Sequence, residues 1–311
     1  MKRLLVLVLV LVMMVPQSVA LAIDLDELLE ESRSASYSAE QLISCSTPDG
    51  TRDALIELEQ RGGEVRYGGK SASGPQVWSG YGGWVVQADG SVVDSATVTD
   101  EEPVEDESLD PDTYTVEERE EVSYLGRTST RYILLHGDVP RAELLVDMGT
   151  GVLLVVTTFD GDGEPYCERR FVAFDAQTPE WEASEPRSGE ELAVSLTSHL
   201  PEAIGDFNLL DAYLDEAGLT FGYYSDGFFS FAVFESSVEI VLDGGVDHLV
   251  AGNRYLRQFT PGQVTYTWPV QGGGMALIGD LPPDLHDQVL ENLPSPYDAG
   301  FFRRLWRNLF G

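Results

Sequence analysis

The chain has 311 residues, enough for one large domain or two of ordinary size, and a formal net charge of −34 from 53 acidic and 19 basic side chains. That balance excludes nucleic acid as a partner, because holding phosphates needs a basic footprint. It suits an exported protein and by itself names no activity.

The N-terminus reads as a secretion leader. Lys2 and Arg3 precede an apolar run from Leu4 to Val15, and Ser18-Val-Ala20 and Ala20-Leu-Ala22 offer small residues at cleavage spacing. The run is shorter than the ~20 residues that cross a bilayer. Pro16 and Gln17 interrupt it, and Cys45 is too distant to serve as a lipid anchor. Residues 1–22 are expected to be removed on export, and losing Lys2 and Arg3 takes the net charge from −34 to −36.

After the leader, Ile23, Leu25, Leu28 and Leu29 stand at helical spacing with acids on the other face, which predicts a helix from Ile23 to Ser34. Strand-like pieces follow at Tyr37 to Cys45, Ala54 to Leu58, Glu64 to Tyr67, Gln76 to Tyr81 and Trp84 to Gln87. The stretch from Thr99 to Asp112 is dominated by acids and prolines and reads as a solvated loop. From about Val122 to Asp175, period-two apolar runs alternate with turn residues at Gly126, Gly137-Asp138, Asp147 to Gly151 and Asp160-Gly-Asp-Gly163. That punctuation predicts successive hairpins of an antiparallel meander.

Prolines and acids between Thr178 and Glu191 read as an interdomain linker. Beyond it, Leu200 to Tyr213 shows no clear period. Leu219 to Tyr224, Phe228 to Phe234, Asp247 to Leu249, Tyr255 to Phe259, Val264 to Trp268 and Met275 to Ile278 read as strands. Val264, Tyr266 and Trp268 alternate with Gln263, Thr265 and Thr267, which predicts one buried and one wet face. Pro282 is expected in the first turn of a helix running to about Asn292.

The fold class expected from these elements is α+β. No nucleophile elbow is present, Gly272-Gly-Gly274 lacks the lysine of a phosphate loop, and Pro165 stands where a calcium loop needs glycine. His136, His199, His248 and His286 share no ligand-like spacing and read as ordinary surface or strand histidines. The expectation is therefore a protein with no catalytic residues, no metal and no cofactor. Cys45 and Cys167 are the only cysteines. In an oxidising compartment they either pair across most of the N-terminal half or stay as two thiols. Pairing would contribute about 4–5 kcal/mol on the chain-entropy model.

The tail holds a sharp local pattern. Phe301, Phe302, Leu305, Trp306, Leu309 and Phe310 would share one helical face, with Arg303, Arg304, Arg307 and Asn308 on the other. Aromatics opposite arginines suit an anionic bilayer surface or a partner. The same face could equally dock on the protein's own body.

Taken in order, several fragments resemble the MucB/RseB family of extracytoplasmic regulators of sigma-factor signalling. They are Ser34-Ala-Ser-Tyr-Ser38, Tyr124-Leu-Gly-Arg127, Leu144-Leu-Val-Asp147 leading to Gly149-Thr-Gly-Val-Leu-Leu154, and Asp160 to Glu164 before Phe171. In the second half they are Tyr224-Ser-Asp-Gly227 leading into Phe228 to Phe234, and Leu277-Ile-Gly-Asp-Leu-Pro-Pro283. The resemblance implies an N-terminal antiparallel half-barrel like LolA and LolB over 23–177, plugged by a helix, a linker over 178–199, a smaller α+β domain over 200–293 and a tail over 294–311. It implies export to the periplasm or another extracytoplasmic space, and binding to the extracytoplasmic domain of a transmembrane anti-sigma factor. A lipid or lipid-modified ligand is expected in the half-barrel, with Tyr67, Trp78, Tyr81 and Trp84 as groove candidates that could instead fill the core. The tail is expected to make peripheral membrane contact. The alternative is a lipid or lipoprotein carrier without a signalling role. The acidic insertion, the extreme charge and the tail depart from the family pattern.

Overall fold

A computed structural model describes residues 25–61, 64–69, 76–79, 82–86, 92–95, 113–179, 200–214, 219–240, 242, 244–260 and 263–297. The expected leader, the acidic stretch 99–112, residues 180–199 of the linker expected over 178–199, and residues 298–311 of the tail expected over 294–311 lie outside the described residues.

Helix α1 (Leu25–Ser34) precedes strands β1 (Ser36–Thr47), β2 (Gly50–Arg61), β3 (Glu64–Gly69), β4 (Gln76–Ser79), β5 (Gly82–Val86) and β6 (Val92–Ser95). They are followed by β7 (Thr115–Tyr124), β8 (Arg127–His136), β9 (Val139–Asp147), β10 (Leu153–Phe159) and β11 (Pro165–Asp175). These eleven strands form one antiparallel sheet in the order β6-β5-β4-β3-β2-β1-β11-β10-β9-β8-β7. The chain steps outward from β1 to one edge, resumes at the other, and steps back in until β11 closes on β1. Register shifts at Glu40/Gln41, Glu118/Glu121, Leu134/Leu135, Leu153/Val155 and Thr158/Phe159 each place an extra residue in one strand and bend it. The sheet is half-barrel-like as a result.

Helix α1 crosses the face of this sheet. Leu28 and Leu29 pack on Leu134, Ala142, Leu144 and Val146 from β8 and β9. At its other end Gln60 on β2 donates through Nε2 to the carbonyls of Ser32 (2.8 Å) and Arg33 (2.7 Å). Those are last-turn carbonyls with no partner inside the helix, so a buried strand residue satisfies them. Tyr37 Oη donates to Gln60 Oε1 at 2.9 Å and holds the amide in place. The helix thus touches β2 at one end and β8 and β9 at the other, as a plug does. Gly151 lies beneath it at φ +69°, and a Cβ there would stand 2.3 Å from Glu31 Cγ. Only glycine suits both the turn and the approach.

The second sheet contains β12 (Ala203–Ile204), β13 (Phe207–Leu214), β14 (Thr220–Ser225), β15 (Ser230–Ser236), β16 (Val246–Val250), β17 (Asn253–Thr260), β18 (Gln263–Val270) and β19 (Gly273–Gly279), ending in helix α2 (Pro283–Asn292). Its order is β12-β13-β14-β15-β19-β18-β17-β16. The winding repeats that of the first sheet: two meanders, closed where β15 meets β19. Leu285, Val289 and Leu290 of α2 join Tyr224, Phe231, Tyr255, Tyr266 and Trp268 in one continuous core.

Three sequence expectations change. The stretch from Leu200 to Tyr213 forms β12 and β13, whose short hairpin turns at Gly205 with φ +61°. Pro282 caps α2 rather than entering it, with ψ 155°, because Pro283 behind it forces an extended backbone. Thr267 is buried on the face expected to be wet. The chain after β15 folds over this end of β19, where a Cβ on Gly274 would lie 2.5 Å from Ile240 N. Ala276, the register partner of Thr267, is buried with it.

Candidate functional site

The polar chemistry concentrates where the two sheets meet. Arg141 enters β9 between Pro140 and Ala142 at a bulge, and its Nη1 donates to Asp284 Oδ2 in the first turn of α2 at 2.8 Å. Arg169 on β11 pairs with Asp280, which follows β19. Arg52 on β2 donates through Nη1 to the Phe259 carbonyl at 3.3 Å. In each case an arginine of the first sheet meets an acceptor of the second. The β10–β11 turn abuts the same helix, since a Cβ on Gly161 would stand 2.9 Å from Asp284 Oδ2.

A fourth contact is anchored by Tyr114. Its Oη donates to Asp226 Oδ2 at 2.6 Å, and its ring stands edge-on to Phe228 at 6.1 Å. Asp226 Oδ1 accepts from the amides of Phe228 (3.0 Å) and Phe229 (2.8 Å), so the carboxylate organises its own turn and reaches across to the first sheet. Burial raises the Asp226 carboxyl above its ordinary 3.8, although the bonds from Tyr114, Phe228 and Phe229 oppose the rise. Burial, then Asp226, raises the Tyr114 phenol as well. Stability linked to Asp226 is therefore complete below the ordinary carboxyl range and falls as pH rises through its higher folded value. Tyr114→Phe removes a bond that offsets that fall. Urea unfolding of this variant should show a loss of about 2 kcal/mol near neutrality and much less in acid, because the bond is to a charged group.

Tyr166 belongs to the same seam. Its phenol is pushed up to about 12 by burial and then by Asp280, against Arg257 and Arg169. It borders a narrow crevice shared with Arg52, Phe259, Val264 and Asp280, into which Cys45 and Cys167 also face. Those two cysteines are disulfide-bonded. A seam of two ion pairs and two hydrogen bonds resembles a transient interface more than a shared apolar core, and domain motion across such a seam is the default.

The solved complex of Pseudomonas aeruginosa MucA/MucB matches this architecture at 17% identity, covering 86% of this chain and 97% of that chain with a TM-score of 0.52. A crystal structure of MucB matches at 19% identity, covering 86% and 95% of the two chains with a TM-score of 0.50. This chain has the MucB fold. No family model matches the sequence, and no curated protein matches it. The likeness to MucB is one of architecture, spanning both sheets.

Within the MucB-like half-barrel, the groove candidates are placed by register alone. Tyr67 stands opposite Leu58, and Trp78 opposite Val65, which itself faces Gln60. These positions share the face crossed by α1. Trp84 stands opposite Val77, one residue out of phase and on the other face. Their side chains, and the whole of Tyr81, lie outside the described residues, as do Phe301, Phe302, Arg303, Arg304, Leu305, Trp306, Arg307, Leu309 and Phe310. The segment leading to the tail is tied down: Trp268 Nε1 donates to the Pro294 carbonyl, and Tyr297 N to the Pro269 carbonyl.

The histidines divide by burial. His286, expected at the surface or in a strand, is instead a core residue of α2, 5.1 Å from Tyr266. Burial, then His248 and Arg257, pushes its pKa down to about 3. His248 on β16 contacts Asp287 at 2.9 Å. Asp160 Oδ1 accepts from the amides of Asp162 (3.0 Å) and Glu164 (2.9 Å), so the carboxylate closes its own hairpin. Among the described residues no group of three His, Cys, Asp or Glu side chains could hold a metal. Sequence reasoning missed Arg52, Arg141, Arg169, Asp226, Asp280 and Asp284. No local signal was available: Arg141 lies near the start of a strand that also carries Glu143 and Asp147, so one more charged residue there does not stand out.

Proposed function

We propose that this chain is an exported regulatory binding protein that holds the extracytoplasmic domain of a transmembrane anti-sigma factor and modulates its proteolysis. The observation that supports it is the two-sheet architecture, which matches 97% of the MucB chain solved with MucA. The fragments shared with the MucB/RseB family run in the same order through both halves. In this reading the half-barrel senses a lipid or lipid-modified ligand through the face bearing Tyr67 and Trp78, with Tyr81 as a further candidate. The tail from Phe301 to Phe310 adds peripheral membrane contact, where its arginines meet anionic headgroups.

A crosslinked pull-down from native membranes tests this reading, using the mature protein tagged at its N-terminus so that the tail stays free. The expected result is recovery of a single-pass membrane protein, diminished by added envelope lipid. Removing residues 301–311 should weaken recovery without abolishing it. Recovery of lipid with no membrane protein would replace the regulator by a LolA-type carrier.

A further inference from the structure

The disulfide occupies an unusual position in the winding of the first sheet. Cys45 and Cys167 are register partners on β1 and β11. Those two strands are the joint between the β1–β6 and β7–β11 meanders, and among the described residues no other strand pair in the sheet connects the halves. The cysteines form the last rung of that joint, at the end that meets the second sheet. There they face a crevice also lined by Phe259, Val264 and Asp280, while Ile43, Ile56 and Tyr166 of the first sheet pack around them, and Cys45 is 8% and Cys167 6% exposed. What holds the second sheet here is polar: Arg169 with Asp280, Arg141 with Asp284, and Arg52 on the Phe259 carbonyl.

We propose that Cys45–Cys167 is a redox latch gated by docking of the second sheet. Docked, the sheets shield both sulfurs. Undocked, the bond is open to a dithiol reductant such as an exported thiol-disulfide oxidoreductase. The reductant's thiolate attacks one sulfur, giving a mixed disulfide and a free cysteine thiolate that takes up a proton. The reductant's second thiol then displaces the other cysteine. Two electrons and two protons pass to the protein, and the reductant leaves as its own disulfide. Linkage makes the effect reciprocal: whatever undocks the seam promotes reduction, and reduction loosens the joint against which the seam is built. This inference stands whatever partner the protein binds.

The test follows reduction of the full-length oxidised protein by dithiothreitol, with alkylation of released thiols read by intact mass. Asp280→Ala/Asp284→Ala removes the two acids that pair with Arg169 and Arg141 and should speed reduction about tenfold, as expected when opening limits access. In parallel, amide exchange across residues 253–260 and 280–290 of the wild type should be faster in the reduced than in the oxidised protein. Equal reduction rates for the folded variant and the wild type would overturn gating. Unchanged exchange on reduction of the wild type would overturn the latch, and that comparison decides alone if the double variant fails to fold.

Discussion

Trp268→Ala is expected to cost about 4 kcal/mol, because a large buried ring is lost from a site that can collapse only in part. Trp268 is 1% exposed and stands edge-on to Tyr255 with centroids 5.3 Å apart. Its register partner on β19 is Met275, and α2 contributes Val289 and Leu290 to the same core. The neighbours come from separate strands and a helix, so no single shift fills the space. The indole also donates to the Pro294 carbonyl at 2.8 Å, tying the chain after α2 to the sheet. Urea unfolding followed by tyrosine near-ultraviolet circular dichroism should show the full loss. Trp268→Phe keeps most of the apolar area, leaves the Pro294 carbonyl without its donor, and should cost about 1–2 kcal/mol. If both variants lost the same small amount, the core around this ring would be loosely packed and the assignment wrong.

Asp147→Ala should cost about 3 kcal/mol, toward the lower end for breaking a buried ion pair, since Arg127 can reach solvent once released. The carboxylate is 2% exposed and takes both arms of Arg127 at 2.8 Å, plus the Thr150 hydroxyl at 2.7 Å. Arg127 also lies 5.0 Å over the Phe174 ring, so the pair ties the β9–β10 turn to the far end of β11. Burial alone would raise this carboxyl, but the bonds from Arg127 and Thr150 and the arginine charge outweigh it and hold the group below 3.8. A depressed folded value contributes stability above the unfolded carboxyl pKa that is lost as pH falls through the folded one. The gap between wild type and Asp147→Ala should therefore be full at neutral pH and close in strong acid. Asp147→Asn keeps the shape, loses the charge and should fall between the two. A gap independent of pH would remove the ion pair as its cause.

The same turn shows how far local chemistry carries. Asp147, Gly149 and Gly151 mark a reversal in the sequence, and the structure places it where Gly151 N and Thr150 N both donate to the Asp147 carbonyl. Nothing local shows that Glu31 of the helix lies over Gly151, because that approach depends on residues 120 positions away. The arginines of the seam are hidden for a related reason. A charged residue at one position of an alternating strand looks the same whether its neighbour is water or an aspartate on another sheet. Tyr67, Trp78 and Trp84 are close in sequence, yet the register places Trp84 on a different face from the other two.

What the sequence determined by itself is therefore local: the hairpins from β7 to β11, the apolar alternation of β18, the acid-backed stripe of α1 and the proline-led start of α2. Each is a property of residues a few positions apart, where period, turn chemistry and backbone preference act directly. Only the tertiary structure decided that β1 closes on β11 and β15 on β19, that Cys45 meets Cys167 across 122 residues, and that arginines of one sheet find the acids of the other. Those choices rest on burial and charge summed over distant segments, and no short window of sequence contains both partners.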